Sequence, residues 1–592
     1  MLTNITKKKG KHFINFRFKL LAGFNMEKLY ENKELEDEIY KIIDNKYDFE
    51  ELIQKQNSYE YYYHLSGLRE NLFLWYPFKE DACLLELGGG YGALTKLFCK
   101  KVKKVVSIED SQKKADIISK RCNLGNLKVL VNDFSELEEL HEQFDYIVLT
   151  DFFEYVDIFF KSSNPFKDYL IYLKRFLKKD GVILLAISNR FGLKYFAGFK
   201  EEHVNEFFTG IDGFPKKKVQ TFTKGEIEGI IKSAGFTNYK FFYPCPDHSF
   251  PVVINTDKYI NKIIYERKAT IVKERANFFR ENKVNQTLIN ENISQYFANS
   301  FLIELRNDSS FKETDNYDYI KINAERQMRF RTITYIYSKM DNIKVIKKPL
   351  NVFSRDHIKR MHELSNQNFG KIEFLEKSFE NNEFSYRYIE QESFEQILLN
   401  TIINRDSEEF FVLLKKFFDA LFYNSFKTDK YCTHEFLEIF KVKSDKCFSC
   451  HNITNIDVIF SNLFLINDEF ICIDYEWMFD FPVPLEYIFY RVIHHHHVVN
   501  PVFRDFISVN EIFEHFNLDK NNIKLFSEWD KHFLRHVKRS LKKPKTKITS
   551  KGTVNKLDTL DSTIKKYRDV NKKYNEINKK YQNLKNKYPD TK

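Results

Sequence analysis

A glycine-rich loop between an apolar strand and a helix is the feature that most restricts how this chain can fold. The loop reads Glu86-Leu87-Gly88-Gly89-Gly90-Tyr91-Gly92 and lies between the apolar pair Leu84-Leu85 and the helical pattern of 93–97. Glycines let the backbone turn sharply and approach a ligand closely. Such a loop is typical of a nucleotide site in a Rossmann-like fold, and alone it does not distinguish one cofactor from another.

Short β-branched runs alternate with amphipathic segments around this loop. The five predicted strands are Cys83–Leu87, Val105–Ile108, Lys128–Val131, Tyr146–Thr150 and Val182–Ile187. Strands that alternate with helices indicate a parallel α/β sheet. We therefore expect an α/β domain over 81–265, preceded by a helical region over 26–80 and followed by a polar helical connector over 266–300.

The order of residues in the loop narrows the cofactor to S-adenosylmethionine (SAM). Glu86 ends the first strand ahead of Gly88, Gly90 and Gly92. This E-x-G-x-G-x-G pattern resembles the first motif of class I methyltransferases, in which the acid lies near the methionine end of SAM. An unrelated Rossmann domain with a dinucleotide cofactor is the alternative.

Acidic residues at two further strand ends favour SAM. Glu109 ends the second strand, 17 residues after Gly92, where a carboxylate can accept both ribose hydroxyls. Asp133 ends the third strand beside Phe134, a pair suited to the amino group and the ring face of adenine. Together with the loop, these residues predict a complete SAM site.

The methyl acceptor is expected beside the ends of the fourth and fifth strands, because ligands of open α/β sheets bind at the carboxyl edge. Polar residues there that are placed to contact the acceptor or take its proton are Asp151, Glu154, Asn189, His203 and Asp212. His203 is the candidate general base because imidazole titrates near neutral pH. A structural role for His203 in its loop is the alternative.

Two observations argue against a nucleic-acid acceptor. No Asn/Asp-Pro-Pro-Tyr/Phe sequence follows the fourth strand, as is expected of amino methyltransferases that act on flipped bases. The net charge of +11 comes from the chain ends, with 16 basic against 5 acidic residues in 541–592 and six basic residues without an acid in 1–25. A nucleic-acid enzyme usually spreads positive charge around its site.

Three segments resemble a family of bacterial methyltransferases from surface-glycan gene clusters. They are 63–71 (YHLSGLREN), 189–198 (NRFGLKYFAG) and 242–247 (FYPCPD). The resemblance extends over about residues 26–540. It implies a sugar, sugar phosphate or polysaccharide terminus as the methyl acceptor, without fixing the sugar.

Residues 301–541 contain a second group of candidate site residues. Asp457 and Asn462 form a D-x-x-x-x-N motif, and Asp474 ends a strand 12 residues later. In kinases one Asp orients or deprotonates the attacking hydroxyl, while the Asn and the second Asp hold Mg²⁺ on the phosphates of ATP. Lys347 lies on a predicted strand suited to a phosphate contact, and Glu363 on the next helix is its predicted partner. The pattern resembles the aminoglycoside and choline kinase group and implies an α+β kinase-like domain.

Two departures leave the activity of this domain open. The hairpin around 326–337 carries no Gly-rich loop, and Asn455 stands where a histidine is usual. The alternatives are an active kinase, a kinase fold that transfers no phosphate, and an unrelated fold in which the motif occurs by chance. The order of parts nevertheless resembles the bifunctional kinase–methyltransferases that terminate O-antigen chains, in which one domain phosphorylates the terminal sugar and the other methylates it. A glycan-assembly scaffold with a pseudokinase domain is the alternative, and a nucleic-acid methyltransferase is a more distant one.

The two ends of the chain predict contacts with partners. The basic tail over 542–592 contains a coiled-coil seam that steps by three and four residues, formed by Tyr567, Val570, Tyr574, Ile577, Tyr581, Leu584 and Tyr588. We expect it to dock a glycan polymerase or glycosyltransferase or to form a homo-oligomer, with a single solvated helix as the alternative. The basic arm over 1–25 either contacts anionic lipid or is an extension upstream of a start at Met26. No run of about 18 apolar residues occurs, so a cytoplasmic protein is expected, at the inner face of the membrane if the arm binds lipid.

Overall fold

The computed structural model describes residues 33–56, 58–214, 219–262, 274–279, 281–307, 317–339, 342–367, 369–539 and 547–551 of the 592-residue chain. The predicted basic arm and the predicted coiled-coil seam lie outside these residues. Among the helices that the structure describes, none is both long and apolar enough to cross a membrane.

Three helices and a 3-10 turn precede the sheet, in agreement with the helical prediction for this region. They are α1 (Lys33–Asp44), α2 (Phe49–Gln56), α3 (Tyr59–Leu65) and the turn Gly67–Leu72. Ser58 caps α3 because its hydroxyl accepts the N–H of Tyr61. Arg121 donates to the backbone carbonyls of His64 and Tyr91, which ties the end of α3 to the glycine loop.

Five parallel strands form the first half of the sheet and overlap the five predicted strands. They are β1 (Cys83–Leu87), β2 (Lys104–Glu109), β3 (Leu127–Val131), β4 (Phe144–Thr150) and β5 (Leu177–Ser188). Their order is β3-β2-β1-β4-β5. The connecting helices are α4 (Thr95–Lys101), α5 (Gln112–Arg121), α6 (Val156–Phe159) and α7 (Pro165–Lys174). The chain order reverses between β1 and β4, and the crevice at their carboxyl ends is where such a sheet binds ligands.

The first domain extends beyond its predicted boundary at residue 265, because a later antiparallel strand joins its sheet. The elements that follow β5 are α8 (Leu193–Phe196), β6 (Lys200–Glu201), β7 (Glu206–Phe207), α9 (Lys224–Ser233), β8 (Asn238–Cys245), β9 (Val253–Thr256), β10 (Glu274–Asn277), α10 (Glu281–Asn290), α11 (Ser294–Phe297) and β11 (Ser300–Arg306). β11 lies antiparallel between β5 and β8, and most of its side chains are buried. The first domain therefore continues to residue 306. The predicted connector is helical in part, but it also contains β10, which pairs with residues 547–551.

Five strands of the second half continue the same sheet, namely β12 (Tyr317–Ile322), β13 (Thr332–Lys339), β14 (Asn342–Pro349), β16 (Lys377–Glu380) and β17 (Glu383–Arg387). The other strands form small separate sheets, and they are β15 (Ile372–Phe374), β18 (Phe426–Thr428), β19 (Phe448–Cys450), β20 (Thr454–Asn455), β21 (Leu463–Ile466), β22 (Glu469–Cys472), β23 (Met478–Phe479) and β24 (Lys547–Lys551). β9 pairs antiparallel with β12, so a 13-stranded sheet runs from β3 to β16 through both halves.

A helical layer with an aromatic-rich core completes the second half. Its helices are α12 (Arg355–Leu364), α13 (Phe394–Ile403), α14 (Ser407–Phe422), α15 (His434–Phe440), α16 (Leu485–Val499), α17 (Pro501–Phe506), α18 (Val509–His515) and α19 (Ile523–Val537). Trp529 of α19 and Phe417 of α14 are fully buried in this core. An antiparallel sheet beside a helical core is the α+β arrangement expected for this region.

Candidate functional site

The glycine loop is held in place by the acid that precedes it. Glu86 is buried, and one of its carboxylate oxygens accepts hydrogen bonds from Thr95 Oγ1 at 2.7 Å and Ser107 Oγ at 2.8 Å. Burial raises the pKa of Glu86 to about 6. A Cβ at Gly89 would lie 2.7 Å from the same carboxylate. Glu86 therefore positions the loop, and its predicted place near the methionine end of SAM stays a prediction.

The loop backbone is left-handed at three glycines. Gly88, Gly90 and Gly92 have φ values of +71°, +59° and +73°. A Cβ at Gly88 would lie 2.7 Å from the ring of Phe152, whereas none of the described atoms would lie within 4 Å of a Cβ at Gly90. The backbone at Gly90 therefore faces open space, as close approach of a ligand requires.

Glu109 faces this loop from the end of β2. Its carboxylate accepts the N–H of Gly90, and the residue is 2% exposed. Burial raises the pKa of Glu109 to about 8, although Lys114 acts in the opposite direction. A buried carboxylate at this strand end suits the ribose hydroxyls predicted for it.

The third predicted acid lies at the surface. Asp133 is exposed, and its Oδ1 accepts hydrogen bonds from the N–H and hydroxyl of Ser135 at 2.8 and 2.7 Å. The ring of Phe134 is buried against that of Phe152, with the centroids 4.7 Å apart. Asp133 keeps a position open to an adenine amino group, whereas Phe134 packs into the core below it.

Asp151 is the centre of a charged cluster at the carboxyl end of β4. Its Oδ2 accepts hydrogen bonds from the Tyr63 hydroxyl at 2.8 Å and Arg69 Nη2 at 3.2 Å, and its Oδ1 contacts His248 Nε2. Its backbone has a φ of +53°, a region that non-glycine residues rarely adopt. Burial opposes ionisation, but His248 and Arg69 hold the pKa of Asp151 well below its ordinary value. The cluster therefore contains an ionised carboxylate.

His248 is the residue of this cluster that sequence reasoning missed. It lies between β8 and β9, 97 residues after Asp151, and is 3% exposed. Burial alone would lower its pKa, but the carboxylate of Asp151 raises it. Its Nδ1 is buried and has no hydrogen-bond partner among the described residues. One signal existed, because the segment 242–247 ends one residue before His248 and the segment 63–71 contains both Tyr63 and Arg69.

His203, the predicted base, lies in a neighbouring cluster. Its Nδ1 is 2.7 Å from Glu201 Oε1. Glu154 is fully buried, and one of its oxygens accepts the N–H of Ser188 at 3.0 Å. The negative charge of Glu154 helps to raise the pKa of His203, so the structure brings these two predicted residues together. Asp212 is exposed on the same loop.

Asn189 is a structural residue and not a candidate for catalysis. Its side-chain N–H groups donate to the carbonyls of Tyr296 at 2.8 Å and Ala298 at 2.7 Å. Its Oδ1 accepts the N–H of Phe191 at 3.0 Å. These bonds occupy the buried amide, so the predicted role of Asn189 in methyl transfer is wrong and its role is to hold the loop after β5.

Lys347 occupies the centre of the second predicted site. It is buried on β14, with its Nζ 2.8 Å from Asp474 Oδ1 and 3.2 Å from Glu476 Oε2. Burial would lower the pKa of Lys347, but the two carboxylates raise it above its ordinary value. Glu476 also contacts Arg326 and, at 3.2 Å, His357 Nε2.

The predicted partner of Lys347 is wrong, since Glu363 is exposed on α12 and pairs with Lys359 at 3.6 Å. The spacing of four residues along one helix brings these two side chains together on its solvent face. Glu476 occupies the place beside Lys347 that Glu363 was predicted to fill.

The remaining predicted residues of this site lie on the loop after β20. Asn462 Nδ2 donates to the carbonyl of Asp457 at 2.9 Å, and the carbonyl of Asn462 accepts the N–H of Ile473 beside Asp474. Burial and the charge of Asp474 raise the pKa of Asp457 to about 6. Asp457, Asn462, Asp474 and Lys347 thus form one cluster.

The first site fits SAM. The open backbone at Gly90, the buried carboxylate of Glu109 and the exposed Asp133 are placed at the ends of three adjacent strands. These residues and the rest of the glycine loop would hold the cofactor. SAM, when bound, supplies an electrophilic methyl group.

The comparisons with known proteins agree with this site. A family model described as a methyltransferase domain matches residues 58–240. This range begins beside α3, contains the glycine loop and β1 to β5, and ends in β8. Residues 58–240 therefore match a methyltransferase domain, and their strands form a Rossmann-like α/β sheet.

Similar proteins include two ribosomal RNA small subunit methyltransferases A. The protein from Mycoplasma capricolum is 26% identical over 239 residues, which cover 36% of this chain and 80% of the relative. The one from Mycoplasma mycoides is 24% identical over 266 residues, which cover 41% and 86%. A solved SAM-dependent methyltransferase from Thermotoga maritima is 16% identical, covers 44% of this chain and 98% of its own, and has a TM-score of 0.26.

Proposed function

We propose that this protein transfers the methyl group of SAM to an oxygen of a sugar, a sugar phosphate or a polysaccharide terminus in surface-glycan synthesis. The observation that carries the proposal is the Asp151–His248 pair, set at the end of β4 where the acceptor of a class I methyltransferase is expected. The resemblance of the three segments described above to glycan-cluster methyltransferases supports the acceptor class.

His248 is the general base in this proposal. Asp151 binds its Nε2, which orients the ring and leaves Nδ1 to take the proton of an acceptor hydroxyl. The acceptor oxygen would bond to the methyl carbon as the C–S bond of SAM breaks and S-adenosylhomocysteine leaves, and the proton of the acceptor hydroxyl would pass to Nδ1. A pair of this kind is needed for a weakly acidic sugar hydroxyl, since the hydroxyl is a poor nucleophile while it keeps its proton.

Arg69 supplies a positive charge beside this pair. It is 7% exposed, its Nη2 binds Asp151, and its Nε is buried without a hydrogen-bond partner among the described residues. An unpaired guanidinium N–H suits a phosphate or carboxylate oxygen. The cluster therefore favours an acceptor that carries an anionic group close to the reacting hydroxyl.

A ribosomal RNA acceptor is the rival proposal, because the two Mycoplasma relatives carry that activity in their names. The last residue of β4 and the three that follow read Thr150-Asp151-Phe152-Phe153, without the prolines expected of enzymes that methylate base amino groups. This difference favours the glycan acceptor.

The test of this proposal uses the full chain, labelled SAM and two acceptors, surface glycan and ribosomal RNA. We expect label in the glycan, and a loss of about 100-fold or more in rate for His248→Gln. The control is His141→Gln, which changes an exposed histidine of the same domain. Label in RNA alone, or full activity of His248→Gln, would contradict the proposal.

We also propose that the second domain transfers phosphate from Mg-ATP. The observation in its favour is the buried cluster in which Lys347 meets Asp474, with Asp457 and Asn462 beside it. Lys347 would contact the phosphates, Asn462 and Asp474 the Mg²⁺, and Asp457 the acceptor hydroxyl. A phosphorylated sugar would then be the anionic acceptor that Arg69 favours.

Thermal shift with Mg-ATP tests this second activity. We expect stabilisation of the wild-type protein and none of Asp474→Asn. No shift for the wild-type protein would leave the pseudokinase scaffold as the better account, with the tail as the element that recruits a glycosyltransferase or polymerase. The same alternative would be favoured if deletion of the tail abolished the surface glycan while substitutions at the SAM site left the glycan unchanged.

A further inference from the structure

A second polar cluster lies beside the Asp151–His248 pair, at the ends of β4 and β5. Glu201, Glu202 and His203 follow α8 and each offers a ligand atom, and these atoms lie within 4.8 Å of one another. Glu154, three residues after Asp151, is close enough for its charge to act on His203. No step proposed above uses these four residues.

Two oxygens in this cluster lack a partner. Glu154 is fully buried and Glu201 is 1% exposed, and Oε2 of each has no hydrogen-bond partner among the described residues. A buried carboxylate oxygen without a donor or a cation destabilises the fold, because it has lost its hydrogen bonds to water. Both oxygens are therefore expected to bind a cation or a hydrogen-bond donor.

Two basic side chains pair with this cluster but leave two oxygens unpaired. Lys194 Nζ and the Tyr195 hydroxyl bind the two carboxylate oxygens of Glu202, and His203 Nδ1 lies 2.7 Å from Glu201 Oε1. Oε2 of Glu154 and Oε2 of Glu201 remain buried without a cation or a donor among the described residues. These two oxygens are free to bind a cation.

We propose that Glu201, Glu202 and His203 bind a divalent cation beside the methyl acceptor, with the carboxylate of Glu154 close by. Carboxylate oxygens with one imidazole nitrogen are ligands that Mn²⁺ and similar ions accept. Ligands on opposite sides of a cation bound at about 2.1 to 2.4 Å are about 4 to 5 Å apart, which matches the spread of the three ligand atoms. Glu202 is 39% exposed, so the ion has a path from solvent.

The position of this cation gives it a role in the proposed reaction. The charge of Lys194 acts on both Glu202 and His248, which places the two clusters next to each other. A cation held there would contact the acceptor's phosphate or hydroxyl oxygens opposite Arg69. This role rests on the proposed methyl transfer, whereas the binding of the cation does not.

Titration of the full-length, EDTA-stripped protein with Mn²⁺, followed by electron paramagnetic resonance without SAM or acceptor, tests the site. We expect one tightly bound Mn²⁺ per chain in an Asp474→Asn background, which removes the ion site proposed for the second domain, and affinity reduced at least about tenfold by Glu202→Gln and by His203→Gln in that background. The control is Glu80→Gln, which changes an exposed carboxylate of the same domain. Lys194→Met should bind Mn²⁺ more tightly, because it removes the cation that competes for Glu202.

Two outcomes would overturn the inference. One is the absence of Mn²⁺ binding in the Asp474→Asn background, and the other is undiminished binding in both ligand variants while their SAM affinity shows that they are folded. A protein that binds Mn²⁺ in this way but transfers no methyl group would refute the proposed acceptor and leave the cation site standing.

Discussion

Replacing Glu109 by Gln is expected to stabilise the fold while it weakens SAM binding. Glu109 keeps its proton in the folded chain up to about pH 8, whereas the unfolded chain loses it near 4.5. Folding therefore takes up a proton between these pH values, and the contribution of Glu109 to stability falls as the pH rises through that range. At pH 7 this costs about 3 kcal/mol.

Gln removes this cost because its amide does not ionise, and its oxygen can still accept the N–H of Gly90. Since burial of the amide carries its own penalty, the expected gain in the free energy of unfolding at pH 7 is about 2 kcal/mol. SAM affinity should fall about 10- to 100-fold, because Gln replaces one of the two carboxyl oxygens available to the ribose hydroxyls with an NH2 group, which cannot accept a hydrogen bond.

The free energy of unfolding is measured by urea denaturation of the first domain at pH 5, 7 and 9. The affinity for SAM is measured by calorimetric titration. The gain should be near zero at pH 5 and larger at pH 7 and 9. Glu80→Gln, which changes an exposed carboxylate of the same domain, should alter neither property. A variant that is less stable at every pH, or that binds SAM as tightly as the wild type, would refute the reasoning.

Three further predictions follow from the clusters. The rate of methyl transfer should increase as the pH rises through the raised pKa of His248, because His248 must lose its proton to act as a base. Asp151→Asn should move this increase to lower pH and reduce the maximal rate reached at high pH. Gly88→Ala should abolish SAM binding in titrations because of its φ of +71° and the ring 2.7 Å away, whereas Gly125→Ala, with none of the described atoms within 4 Å, should not. Lys347→Met should lower the free energy of unfolding by about 3 kcal/mol in denaturant titrations, because it removes the buried cation that pairs with Asp474 and with Glu476, although Glu476 keeps Arg326 and His357.

The parallel strands and the glycine loop were predictable from the sequence because their signals are local. Each strand is a short apolar run, and the loop carries its glycines within seven residues, Glu86–Gly92. Glu109 was predictable for the same reason, since a strand end is visible in the pattern. These local features identify the SAM side of the site.

The acceptor side was only partly predictable, because its contacts join distant segments. Asp151 meets His248 across 97 residues and Arg69 across 82. The pairing depends on β11, which places β8 in the sheet and was assigned by sequence to the second domain. Asn189 was misjudged because its hydrogen-bond partners lie more than 100 residues away. Long-range strand order therefore decides which polar residues meet.

The most direct test of the central claim is to follow methyl-labelled SAM with the wild-type protein and Asp151→Asn, supplied with Mg-ATP and the surface glycan. The account predicts label on an oxygen at the glycan terminus with the wild type, and a rate reduced about 100-fold or more with the variant. Label found only in ribosomal RNA, or equal labelling of the glycan by both proteins, would contradict it.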